Sequence, residues 1–151
     1  MPKKPTTADA QIVLQLYDFR REAELRKARN WFNGGFWPAT VDDILKISSN
    51  FSLPENAWFR QVLTYWEMAA ALVLRGALNE DLFYDTNAEM WFSFAKIYPN
   101  LKAYREKSGS PQAWANIEKL VTRTKQGKAR FDNVLKRVSA FREQLANAPK
   151  K

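Results

Sequence analysis

SLPENAWFRQVLTYWEMAAALVLR runs from Ser52 to Arg75. Its first residues read as a helix start: Ser52 caps, Pro54 is tolerated in the first turn and Glu55 closes the box. Gly76 ends the segment, because glycine accepts the left-handed conformation that closes a helix. Between these points Trp58, Phe59, Val62, Leu63, Tyr65, Trp66, Ala69, Ala70, Leu72 and Val73 cover most of the circumference. Arg60, Thr64, Glu67, Ala71 and Arg75 leave only a narrow, mostly polar stripe. A helix that is apolar nearly all round has to be covered by other elements. Residues 53–75 are therefore expected to form the central buried helix.

The N-terminal side reads as one long helix from Thr7 to Phe32. Thr7 is its expected cap, and Ile12, Leu16, Phe19 and Ala23 share a face. Glu22 and Arg26 stand at the i,i+4 spacing of an ion pair. Gly34-Gly35 ends that helix, and Phe36-Trp37-Pro38 is an apolar connector. Thr40 to Asp43 resembles a capping box opening a short helix through Ser48.

On the C-terminal side Asn79 caps a short helix carrying Glu80 and Asp81, and Thr86 or Asn87 restarts the chain. Met90, Trp91, Phe94, Ile97, Tyr98 and Leu101 mark a second strongly apolar helix over 88–98, which Pro99 breaks. Ser108-Gly109-Ser110-Pro111 reads as a loop leading into a proline-started helix with Trp114, Ile117, Leu120 and Val121 inside. Gly127 interrupts it. Phe131, Val134, Val138, Phe141 and Leu145 then form an a/d-like seam suited to antiparallel packing. No period-two strand is found, and Lys46 to Leu53, the nearest exception, is read as helix end plus loop. The expectation is all-α: a single-domain helical bundle of about five to seven helices. Residues 1–7 are read as a loose leader, 8–147 as the domain and 148–151 as a tail.

Composition narrows the chemistry. The chain has 151 residues, 46% of them hydrophobic, which suits one domain. It has no cysteine, so disulfides, thiol nucleophiles and Cys-ligated metals are excluded. It has no histidine, which removes the commonest metal ligand and the usual proton carrier near neutrality. The apolar run Met68 to Leu74 is far too short for a membrane span. No signal-like apolar region follows the first residues, and a cytoplasmic location is expected. The formal charge of +8 is uneven: residues 41–100 hold four basic and eight acidic residues, whereas residues 101–151 hold thirteen and four.

Tyr65 to Arg105 resembles an uncharacterised, all-helical bacterial family of unknown function. The residues that carry the resemblance are Trp66, Glu67, Arg75, Gly76, Asp81, Leu82, Trp91 and Pro99. It implies a helical domain and implies no activity.

Three sets of residues invite a functional reading. Asp81, Asp85 and Glu89 lie four apart beside Glu80, and on one continuous helix they would make an acidic stripe able to hold a divalent cation. The competing reading is a solvated helix start. Glu67, if covered, needs a partner, and Arg20, Arg21 or Arg26 could supply a structural ion pair. Lys119, Arg123, Lys125, Lys128, Arg130, Lys136, Arg137 and Arg142 load the C-terminal third. A nucleic-acid surface would want them on one face, yet on a heptad wheel Arg130 and Arg137 flank one edge of the seam, Lys128 and Arg142 the other, and Lys136 points away. Trp31 and Trp37 read as core or loop anchors rather than base-stacking platforms.

No catalytic, cofactor-binding or metal-binding residue is assigned, and no cofactor is expected. The leading expectation is a non-enzymatic helical protein–protein interaction module, with a homodimer as one form. The alternative is a basic accessory protein binding nucleic acid through its C-terminal third. A small-ligand or metal-dependent enzyme ranks last.

Overall fold

The computed structural model describes residues 3–149; the remainder of the expected leader and tail lies outside them. Among the described residues there are nine α-helices and no strand. In chain order they are α1 (Thr7–Arg21), α2 (Ala23–Asn30), α3 (Val41–Ser48), α4 (Pro54–Leu74), α5 (Glu80–Thr86), α6 (Glu89–Ile97), α7 (Leu101–Ser108), α8 (Ala115–Thr122) and α9 (Lys125–Asn147). A π-helical turn, Trp31–Gly35, follows α2, and a 3-10 turn, Tyr98–Asn100, follows α6.

Helix α4 is the central element, as its composition requires. It packs chiefly against α2 and α8, and α3 also lies on it. Val62, Leu63, Trp66, Ala69 and Ala70 are almost wholly buried, while Arg60, Thr64 and Arg75 remain on the exposed stripe. Each large apolar side chain so buried contributes roughly 1.5–3 kcal/mol. At its end the Gly76 N–H donates to Val73 (3.0 Å) and the Ala77 N–H to Leu72 (2.9 Å), with Gly76 at φ 74°. This is the paired C-terminal closure that a glycine permits. The start differs from expectation. Leu53 is the cap residue and offers no side-chain bond, because the Ser52 hydroxyl donates to Asn50 instead (2.6 Å). Pro54 alone sets the first turn.

A second layer pairs α6 with α9, and α8 joins the layers by touching both α4 and α9. Phe131 of α9 stacks on Phe94 (5.6 Å) and meets Tyr98 edge-on (5.0 Å). The seam is thus buried at Phe131 and Val138, whereas Phe141 and Leu145 are half-exposed.

The expected long N-terminal helix is two helices. Glu22 leaves helical geometry (ψ 139°), and its carboxylate accepts from the N–H groups of Glu24 (3.1 Å) and Leu25 (2.9 Å). It caps α2 instead of pairing with Arg26, whose guanidinium donates to the Arg21 carbonyl (2.9 Å). The α1 cap is Thr6, in a reciprocal box with Asp9, and the Asp9 carboxylate also accepts from the Asn79 N–H (2.7 Å). Phe19, expected inside, is half-exposed. The Thr40/Asp43 box and the Asn79 cap form as read. Pro111 does not start a helix; α8 begins at Ala115, after Trp114 in the left-handed region (φ 53°). No described helix is long and apolar enough to cross a membrane.

Candidate functional site

Glu67 is partly buried, and its partner is not an arginine. One carboxylate oxygen accepts from the Asn116 backbone N–H (2.9 Å) and side-chain amide (2.8 Å), the other from the Ile117 N–H (3.0 Å). Helix α8 has no side-chain cap of its own, so a carboxylate from α4 satisfies its orphan N–H groups and meets the positive end of its dipole. Arg20 instead lies over the rings of Tyr17 and Trp66, and Arg21 over Tyr17. The same junction is held by Arg105, which donates to the Ala113 carbonyl (2.8 and 3.0 Å) and to Glu118 (2.7 Å). Trp114 stacks on Tyr104 at 4.7 Å.

The acidic stripe does not form. Helix α5 ends at Thr86 and α6 starts at Glu89, so Asp81, Asp85 and Glu89 do not share a continuous helix. Glu89 pairs with Arg29 of α2 (Nε to carboxylate, 2.8 Å), and Glu80 accepts from Arg123 and from the Tyr84 hydroxyl. No cluster of three or more metal-ligating acidic side chains exists among the described residues.

The basic residues are likewise scattered. Arg123 is held by Glu80 and Lys128 by Asp132 (2.9 Å). Arg142 donates to the Lys96 carbonyl (3.0 Å). Arg130 lies on the rings of Trp91 (4.8 Å) and Tyr84 (5.9 Å) and donates to the Tyr84 carbonyl at 3.3 Å. Lys119, Lys125, Lys136 and Arg137 are exposed. Trp31 stacks on Phe36 (4.9 Å), and Trp37 donates to the Gly34 carbonyl (3.0 Å) and packs against Phe141 (5.0 Å). Both tryptophans are anchors.

Lys96 is the residue that the sequence reading missed. It is fully buried, with its amine donating to the carbonyls of Phe32 and Asn33 (3.2 Å to the latter) and lying 3.9 Å from the Trp37 ring centroid. The π turn explains the acceptors. Trp31 takes the Phe36 N–H, and the residue that a π turn would offer to Asn33 is Pro38, which has no N–H. Burial without a carboxylate, helped by the nearby Arg142 charge, pushes the Lys96 pKa down to about 7. The signal in the sequence was one charge in the nine residues Met90 to Tyr98.

Two surface features remain. A groove of about 890 Å³ runs between α6 and α9; Phe92, Val134 and Phe141 are among its walls. A shallower recess of about 540 Å³ joins α1 and α4, lined by Phe19, Glu22, Leu25, Gln61, Thr64, Tyr65 and Met68.

Residues 5–124 match a family described as Domain of unknown function (DUF4760). The chain belongs to this family. No curated protein and no solved structure matches it. The DUF4760 segment contains Tyr65 to Arg105, and five of the eight residues that carried the resemblance have structural roles there. Trp66 and Trp91 are buried, Glu67 caps α8, Gly76 closes α4, and Pro99 sits in the 3-10 turn. Helix α9 follows the family segment, so the groove lies where the DUF4760 domain meets that helix.

Proposed function

We propose that this DUF4760 protein is a non-enzymatic helical interaction module that associates with a second copy through the outer face of α1 and α4. The observation that carries the reading is the exposure of Phe19 (54%) and Met68 (47%) around one recess whose lining holds no lysine or arginine. A monomer gains nothing from displaying such side chains together, whereas an interface buries them. A chain of charge +8 repels its own copy, and a recess lined by no cation is a place where that repulsion is reduced. The carboxylates best placed for chemistry are committed to structural bonds: Glu67 to α8, Glu89 to Arg29 and Glu80 to Arg123.

Sedimentation equilibrium tests this. The expected result is a mass that rises from monomer to dimer with concentration. Phe19→Asp with Met68→Lys should weaken the dimer by about tenfold or more, with the helical spectrum unchanged. A monomer mass at every concentration overturns the reading. Tight oligonucleotide binding with a log–log salt slope of several units would favour the nucleic-acid alternative instead.

A further inference from the structure

The α6–α9 groove is independent of the α1–α4 face, and its chemistry specifies a different occupant. The α9 residues that line it, from Gln126 to Phe141, recur at helical spacing along one face. The fifteen helical steps between these two residues span about 22 Å, roughly four turns. The walls are apolar at Phe92, Val134 and Phe141, and Asn133 adds an amide.

The charge in the groove that lacks an ion-pair partner has one sign. Arg130 and Arg137 both line it, and neither pairs with a carboxylate among the described residues. Arg130 stacks on Trp91 and Tyr84, makes two long bonds to the Tyr84 carbonyl and borders the recess of Glu80, Asp81 and Asp85 without an ion pair to any of them, and Arg137 is exposed. Glu89, the acid at the groove, is already neutralised by Arg29 from α2. The two arginines are seven residues apart, two turns or about 10 Å along α9.

We infer that this groove holds an amphipathic helix of a partner protein that presents acidic side chains seven residues apart, with apolar side chains between them. Such a helix lays its apolar stripe over Phe92, Val134 and Phe141 and its two carboxylates against Arg130 and Arg137. Arg is well suited to this, because its planar fork can take a carboxylate bidentately. A nucleic-acid backbone fits less well. The exposed lysines that would extend a phosphate track, Lys125 and Lys136, lie roughly 120–140° round α9 from Arg130, and between the arginines the groove offers Val134 and a neutral amide but no cation.

The test uses the full chain and three synthetic, fluorescein-labelled helical peptides of equal length and apolar pattern. One has Glu at i and i+7, one has those glutamates moved off register, and one carries Lys in their place. Fluorescence anisotropy should show the in-register Glu peptide binding about tenfold or more tighter than the other two. Arg137→Glu, at an exposed position with no structural bond, should lose about tenfold for the Glu peptide and gain affinity for the Lys peptide. Arg130→Gln should weaken the Glu peptide alone. The double variant Phe19→Asp/Met68→Lys should bind the Glu peptide as the parent does, which separates this site from self-association. Equal affinity for all three peptides overturns the inference. So does displacement of the Glu peptide by an RNA or DNA oligonucleotide that Arg137→Glu also weakens, which would assign the groove to nucleic acid.

Discussion

Replacing Lys96 by Met will flatten the pH dependence of stability between pH 7 and 9.5. In the folded protein the buried amine releases its proton near pH 7, because desolvation disfavours its charge. In the unfolded chain it holds the proton until about pH 10.4. Across this window unfolding takes up one proton, so stability rises with pH, by up to about 1.4 kcal/mol per unit. Lys96 therefore contributes its full share above the unfolded value, and that share is lost as pH falls towards 7. Buried tyrosines set the upper limit. Burial pushes the Tyr65 hydroxyl up to about 12 and that of Tyr84 further still, where Glu80 adds to the effect. Both favour the folded state below pH 10 and lose that contribution above it. Urea melts at pH 7, 8, 9 and 9.5 should show the parent gaining of the order of 3 kcal/mol while Lys96→Met stays level. A parent curve as flat as the variant would show that the amine stays charged throughout.

The second large effect belongs to Glu67. Glu67→Ala removes three hydrogen bonds to the start of α8 and leaves two backbone N–H groups at a half-buried junction. A bond to a charged acceptor contributes about 1.5–3 kcal/mol net, three bonds sharing one carboxylate do not add in full, and a lost cap typically costs ~1–2. A total near 3 kcal/mol is expected, read as a melting temperature lower by about 6–12 °C. Glu67→Gln keeps one acceptor oxygen but turns an amide N–H towards the helix, and should fall between the two. Hydrogen exchange should localise the loss to residues 115–122. An arginine partner predicts the opposite location, with α1 and α2 loosened.

How far the sequence carried these conclusions depended on the range of the forces involved. Helix α4 was legible because burial follows from its own composition, and Thr40, Gly76, Asn79 and Pro99 were legible because caps and breaks act within a few residues. Glu22 was misread because a carboxylate at i,i+4 from an arginine serves a continuous helix and a capped break equally well. Ser52 was misread because Asn50 competed for its hydroxyl at closer range. The need of Glu67 for a partner could be seen, but the partner is the start of a helix 49 residues away, which no spacing rule reaches. The groove was invisible for the same reason. Its walls belong to two helices whose pairing appears only after the chain has folded; the heptad pattern of α9 marked the seam and set Arg130 and Arg137 on one edge of it, but not the wall that α6 supplies.

The π turn at Trp31–Gly35 has a consequence for the evolution of the fold. Such a turn carries an insertion relative to regular α-helix, and it persists where something compensates the broken hydrogen-bond register. Here the compensation comes from another part of the chain, an amine more than sixty positions downstream. Insertion and amine are thus linked characters. Relatives in which an aliphatic side chain replaces Lys96 are expected to have deleted one residue between α2 and α3, and sequence comparison across the family will show whether the two changes travel together.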